Sequence, residues 1–363
     1  MPMITGDPLR QAGSTPLTRW DQASFLPTQI ARLYDEVAGI GEDPSAILAA
    51  AHVNAESLRS SDTRVSLRQI LEAYRTAASL SADPEFAFLM GTRNKVTYYG
   101  MYGFAVMSAP DLATMLDFIS EAQTLSANLV DLRIERDADR VALCIEPLIH
   151  HDIDTTLHRF LVEELLGLAF SAFRDMLGEA FSPSAIRLTY PEHDSATRLA
   201  ELIGVPVSFG EKTSAFVFDA SWLSAPLQFG NRVVHSSARK TCAALLGELR
   251  AQAGLAHRVG EALIAYRGRI PPIEEIAAQF GMSERDLRRK LSAEGSGYRL
   301  VCDDVRSQIS MKYLRDTSLS IDQIASIMGF DNAANLRRAF RRWTDMTPTE
   351  YRIAAASEKE PDK

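Results

Sequence analysis

Basic and amide side chains recur at helical spacing in two short stretches near the C-terminus. Arg285, Arg288, Arg289 and Lys290 lie in the first. The second runs Arg337-Arg338-x-x-Arg341-Arg342, with Asn332 and Asn335 just ahead of it. Guanidinium and carboxamide groups suit bidentate contacts with guanine and adenine edges in a major groove. Helix N-termini and cationic side chains suit phosphate. One such run is ordinarily a solvated helix face; two in matching frames point to a nucleic-acid surface.

The frame is an internal repeat. Ile276-Ala277-x-x-Phe280-Gly281-Met282, followed by Leu287-x-Arg289-x-Leu291, returns as Ile324-Ala325-x-x-Met328-Gly329-Phe330, followed by Leu336-x-Arg338-x-Phe340. Two helices crossing through a tight turn need a small residue at closest approach, here Ala277 and Ala325. The turn needs a residue tolerant of positive φ, here Gly281 and Gly329. Ser283 is placed to cap the second helix of the first unit, and Asp331 or Asn332 that of the second. Leu287 with Leu291, and Leu336 with Phe340, are i, i+4 pairs that pack each second helix onto its partner. The expected DNA-binding set is Ser283, Arg285, Arg288, Arg289, Lys290, Asn332, Asn335, Arg337, Arg338, Arg341 and Arg342. Of these, Lys290, Arg341 and Arg342 are assigned to phosphates.

A net charge of −8 over 363 residues argues at first against such a partner. Partition reverses the argument. Residues 258–352 hold 16 of the 39 Lys+Arg and 13 of the 47 Asp+Glu, a balance of +3, leaving 23 and 34, or −11, for the remainder. Local patches, not totals, govern binding. The length predicts at least two domains. Three cysteines without a CxxC pair give no disulfide framework and no zinc motif, and fit a reducing compartment. No signal peptide is read at the start, and the most apolar stretch, Leu161–Phe173, carries Glu163 and Glu164 and is too short for a bilayer. A cytoplasmic protein with no membrane partner is expected.

The elements ahead of the repeat are mixed. Residues 1–17 read as a flexible arm. Helical periodicity, such as Leu67, Ile70, Leu71 and Tyr74, follows to about Leu89. Residues 95–108 are aromatic and glycine-punctuated, and Asp111 caps a helix predicted through Leu125. A hairpin is expected over 129–135 and 140–145, a long amphipathic helix over 155–178, and strands at 186–190, 205–209 and 215–218. The fold class is therefore an α+β N-terminal sensor domain over 18–228 plus an all-α C-terminal domain with two helix-turn-helix motifs over 257–352. A helical linker, a connector or a dimerisation helix, spans 229–256, and a charged tail occupies 353–363.

The C-terminal residues resemble AraC/XylS-type transcriptional regulators. Leu319-Ser320-Ile321-x-x-Ile324-Ala325-x-x-x-Gly329-Phe330, then Arg338-Ala339-Phe340-Arg341-Arg342-Trp343, then Thr347-Pro348-x-x-Tyr351-Arg352 carry the match over about 95 residues. The resemblance implies a long helix joining the two units, near Tyr298–Arg315. Leu336 stands where the family usually has Phe, Asp345 where Gly is common, and Ala334 where a small hydroxyl residue is frequent. Ala333 and Ala334 leave only apolar contacts, such as a thymine methyl. The N-terminal region is similar to the arabinose-binding-like effector domain of the ornithine-utilisation-regulator branch, through Gly100-x-x-Gly103-Phe104, Arg159 with Glu163, and Val205-Pro206-Val207-x-Phe209. This implies a DNA-binding regulator controlled by a small-molecule effector. A homodimer, and RNA polymerase as a further partner of an activator, accompany that reading.

Tyr98, Tyr99, Tyr102, Phe104 and Arg159 are the effector-site candidates. The aromatics could line a pocket or simply be core at strand spacing; Arg159 could hold a carboxylate or pair with Glu163 at i+4. His150-His151-Asp152 matches no zinc spacing, so no metal is assigned. Ser237-x-x-Lys240 lacks the companion Lys-Thr-Gly of β-lactamase-like enzymes. No catalytic residue and no cofactor is assigned. The competing reading is an enzyme in the N-terminal domain with an accessory helical domain.

Overall fold

The computed structural model describes residues 20–81, 83–148, 152–192, 196–252, 254–264, 266 and 269–357. The N-terminal arm, His150, His151 and the last six residues lie outside them. The described chain divides into two compact units, residues 20–148 with 153–248, and residues 249–357.

The first unit opens with helices α1 (Thr28–Gly39), α2 (Ser45–Ala50), α3 (Leu67–Leu80) and α4 (Phe86–Arg93). Helix α3 starts at Ser66 through reciprocal bonds with Gln69: Ser66 Oγ accepts from the Gln69 N–H at 3.2 Å, and Gln69 Oε1 accepts from the Ser66 N–H at 3.0 Å. Residues 95–108 are helical, not a strand. A 3₁₀ turn over Val96–Tyr99 leads into α5 (Gly100–Met107). Gly100 takes φ +56°, and a Cβ on Gly103 would sit 1.8 Å from the Val96 carbonyl oxygen. The glycines fold α5 back on its own entry turn, which strand geometry does not require.

Asp111 caps α6 (Leu112–Ala122) by accepting from the Thr114 N–H at 2.8 Å; Gln123–Ser126 continues as a 3₁₀ turn. Strands β1 (Val130–Arg136) and β2 (Arg140–Pro147) form the expected hairpin. They precede α7 (Thr155–Leu177), β3 (Ala185–Arg187), α8 (Ala196–Ile203), β4 (Val207–Ser208) and β5 (Ala215–Asp219). The sheet order is β1-β2-β5-β3-β4, antiparallel except for β3 beside β4. Strand β3 is shorter than the expected 186–190, because past Arg187 the chain leaves the ladder and the Thr189 N–H donates to Ser214 Oγ at 3.1 Å. β4 is likewise limited to the two residues that reach β3.

Helix α7 is central, not amphipathic: every residue from Phe160 to Ala169 is buried. It packs on β2, on α3 and, most closely, on α4. At that crossing a Cβ on Gly91 would lie 1.9 Å from the Glu164 carbonyl oxygen, and one on Gly167 2.1 Å from that of Phe88. Reciprocal glycines let the two backbones touch, and this brings the end of α4 against Glu164.

Helix α9 (Arg232–Gln252) buries His235, Ala238 and Cys242 on the first unit's core. Val233 and Leu245 are exposed.

The second unit is all helical: α10 (Leu255–Ile264), α11 (Ile273–Gln279), α12 (Glu284–Ala293), α13 (Tyr298–Asp316), α14 (Ile321–Ile327), α15 (Ala333–Thr344) and α16 (Pro348–Ser357). Its own core joins Leu255 and Val259 to the repeat's apolar residues. The compact unit thus begins earlier than residue 257, and α16 runs through the first residues of the segment read as a tail.

Candidate nucleic-acid interface

The repeat folds as two helix pairs, α11 with α12 and α14 with α15. Ala277 and Ala325 are buried at the crossings, and Gly281 and Gly329 take φ +63° and +72° in the turns. Leu287, Leu291, Leu336 and Phe340 are fully buried beneath the second helices. That leaves the other face of α12 and α15 to solvent. Arg285, Arg288, Arg289, Lys290, Arg337, Arg338, Arg341 and Arg342 are all exposed on it.

Both caps form. Ser283 Oγ accepts from the Asp286 N–H at 3.1 Å and donates to Asp286 Oδ2 at 2.8 Å. That bond and the nearby Arg289 guanidinium, 3.2 Å away, hold the Asp286 carboxyl below the usual carboxylate range. Asn332, not Asp331, caps α15, its Oδ1 accepting from the Asn335 N–H at 2.9 Å. Asn335 Oδ1 in turn accepts from Arg338 Nη2 at 2.6 Å, so the cap, Asn335 and Arg338 form one file along the exposed face. Asp345, where a glycine is common, adopts φ +56° and ends α15, its N–H donating to the Arg341 carbonyl at 2.9 Å. A short polar side chain tolerates this left-handed position better than most.

The two outer faces differ electrostatically. On α12, Arg288 pairs with Glu284 at 2.7 Å and Arg289 with Asp286. On α15, Arg342 reaches Asp303 of α13 at 2.9 Å, while Arg337 and Arg341 have no ion pair among the described residues. The more openly cationic surface is therefore that of α15. Sequence reasoning did not find Asp303, or the Arg306 guanidinium 5.0 Å over the Phe330 ring behind it.

The effector candidates in the first unit separate. Tyr98 and Phe104 are half exposed, whereas Tyr102 is buried and Tyr99 turns its hydroxyl inward to Asn94 at 2.9 Å. Arg159 is on α7, its Nε 3.6 Å from Glu163 Oε1 in the i, i+4 pair. Glu163 also accepts from the Tyr190 hydroxyl at 3.0 Å, and burial raises that phenol well above its ordinary value. A third group was not legible in the sequence. Gln29, Arg32, Tyr74, Asn94 and Glu164 come from distant segments and meet in one buried polar cluster. Among the described residues no group of three or more His, Cys, Asp and Glu is placed to hold a metal, and no helix is long and apolar enough to cross a membrane.

Comparison with known proteins gives this geometry a context. Residues 41–227 match the model of the arabinose-binding domain of AraC transcription regulators, N-terminal, and residues 276–354 match a helix-turn-helix domain. The chain is 31% identical over 336 residues to the ornithine utilization regulator of Pseudomonas aeruginosa, covering 92% of this chain and 97% of that one. It is 27% identical to the helix-turn-helix-type transcriptional regulator VqsM of the same species, over 72% of this chain and 82% of that one. A crystal structure of the transcriptional regulator CdpR from Pseudomonas aeruginosa aligns at 25% identity and a TM-score of 0.46, over 90% of this chain and 98% of that chain. With more than half of its length matched by the family's N-terminal domain and residues 276–354 by a helix-turn-helix domain, the chain belongs to the AraC family of transcription regulators.

Proposed function

We propose that α12 and α15 enter two successive major-groove segments of promoter DNA, about 34 Å apart along one face. The observation that carries this reading is the repeat: two capped second helices, each packed by its apolar pair and each presenting arginines to solvent. Arg285, Arg288, Arg289, Asn335, Arg337 and Arg338 face bases or adjacent phosphates, and Lys290, Arg341 and Arg342 hold phosphates. Ser283 and Asn332 act mainly through their caps, which aim the helix N-terminal N–H groups at the backbone. The first compact unit, with the start of α9 docked on its core, acts as the effector domain, and the second compact unit, residues 249–357, as the reader. The protein works as a cytoplasmic homodimer, with RNA polymerase as a further partner where it activates.

Selection from a random DNA pool tests this reading. A selected site should bind with an affinity that falls steeply with salt. Arg338→Ala should cost about 1–3 kcal/mol and relax specificity at one position. Equal binding by wild type and variant overturns the assignment of α15. The name of the ornithine utilization regulator makes ornithine the first effector probe.

A further inference from the structure

The buried cluster in the first unit is built at high energetic cost. Arg32 and Glu164 form an ion pair at 3.0 Å with both side chains about 5% exposed. Arg32 Nη2 also donates to the Tyr74 hydroxyl at 2.6 Å and to Gln29 Oε1 at 3.2 Å. Asn94 Nδ2 donates to the same Glu164 oxygen at 3.1 Å, so Arg32 and Asn94 converge on one atom from two sides. Each then leaves one group over. Arg32 Nη1, a donor, and Asn94 Oδ1, an acceptor, are buried and make no hydrogen bond among the described residues.

A buried pair with orphaned partners is not explained by stability. Apolar residues of similar volume often replace such a pair without loss, and each orphaned group costs free energy. Residues that violate the packing rules in this way concentrate at functional sites. The orphans specify a complement: an acceptor for Arg32 Nη1 and a donor for Asn94 Oδ1.

From this geometry we infer that the Arg32–Glu164–Asn94 cluster anchors the polar head of the effector, a head with no net charge that carries both a hydrogen-bond acceptor and a donor. The inference rests on the effector-domain reading proposed above. Net neutrality follows from the surroundings. Arg32 and Glu164 already cancel, so an ionic head would leave an uncompensated buried charge. The phenols add none: burial pushes Tyr74 well above its ordinary value, and Tyr99 is raised by burial first and the Glu164 charge second. Two head chemistries meet the requirement, the zwitterionic carboxylate and ammonium of an amino acid, and the vicinal hydroxyls of a sugar.

The test is a thermal-shift and calorimetric panel on the full-length protein, using L-ornithine and L-alanine, L-arabinose and D-ribose, and acetate, glutarate and methylammonium. The variants are Asn94→Leu and the paired replacement Arg32→Met with Glu164→Leu, which removes both charges together and keeps the volume apolar. An amino-acid or a sugar head should bind the wild type, and which of them does identifies the source. Each variant should bind it about ten- to a hundredfold more weakly while melting cooperatively and retaining DNA binding. Undiminished binding by the folded pair variant overturns the inference and leaves the effector domain standing, as does binding of acetate, glutarate or methylammonium alone. A crystal structure with only a water between Arg32 and Asn94, and the bound molecule elsewhere, does the same. Failure of the whole panel on the wild type removes the effector-domain reading, and the inference falls with it.

Discussion

Phe118 and His235 meet edge to face, their ring centroids 5.7 Å apart and their planes at 82°. His235 belongs to α9, and its Nδ1 donates to the Ala105 carbonyl of α5 at 2.9 Å. Phe118 lies 5.6 Å from Tyr102, and Tyr102 6.3 Å from Tyr99, whose hydroxyl accepts from Asn94. Packed side chains thus run without a gap from the polar cluster to the helix that leads into the DNA-binding unit.

Contiguity of this kind shows a route and not yet a coupling. His235→Leu tests it, because the apolar contact with Phe118 is kept while the bond to Ala105 is lost. The variant should be less stable by about 1 kcal/mol. Its affinities for DNA alone and for effector alone should stay within a few-fold of wild type. The change in DNA affinity on adding effector, about 5- to 150-fold for a typical allosteric coupling, should shrink toward one in anisotropy titrations. An unchanged ratio would mean that α9 is moved by other contacts.

The α4–α7 crossing makes a stability prediction. The Cβ introduced by Gly167→Ala meets backbone atoms, the Phe88 carbonyl oxygen at 2.1 Å and the Thr92 nitrogen at 2.9 Å, and neither can rotate away. The helices must separate, at a cost of about 1–3 kcal/mol or more. Asn94 leaves Glu164 in the same movement, so effector binding should weaken along with the melting temperature. Wild-type melting would show that the two helices can slide without loss.

Gly167 and its counterpart Gly91 illustrate what the sequence could and could not convey. The reader unit was legible because its requirements are local: an Ala and a Gly at fixed offsets, a cap, and a buried pair one turn apart, all written twice. Even Asn332 as the cap was one of two named choices. The Arg32–Glu164 pair carries no such mark, since Arg32 sits among ordinary helix residues and its partner lies on a helix far along the chain. The aromatic stretch at 98–104 misled for a related reason. Alternation looks like a strand until Gly100 and Gly103 are recognised as the residues that let a helix fold onto its own entry turn.

The three cysteines predict a thiol chemistry without reactivity. All are buried, and burial is the main cause that pushes the Cys144 thiol up to about 12 and Cys302 to about 11, with Cys242 also raised. The thiolate is the nucleophile, so the native protein at pH 8 should react with an aromatic disulfide reagent only as fast as it opens, while the unfolded chain reacts at once. The sign of the pH dependence follows. A folded value above the unfolded one leaves stability intact below the ordinary thiol value of 9.0. Above it the unfolded state loses its protons first, so stability falls as the pH rises toward the native values. Prompt labelling of one thiol in the folded protein would refute the burial argument for that residue.

Asp345 offers a stabilising change. Its φ of +56° is a left-handed conformation at the residue that ends α15, and its N–H closes the helix on the Arg341 carbonyl. An L-residue with a Cβ pays for this position, Asp less than most, and glycine pays almost nothing. Asp345→Gly should therefore raise the stability of the reader unit by about 0.5–1 kcal/mol, even though glycine also gains freedom in the unfolded chain. Asp345 is exposed and lies just past the cationic face of α15. Removing its charge should strengthen DNA binding slightly and uniformly across sequences, since a charge near phosphates acts without regard to the bases. Chemical denaturation and salt-dependent DNA titrations read the two effects separately. A loss of stability would show that the Asp345 side chain makes a local bond that outweighs its backbone strain.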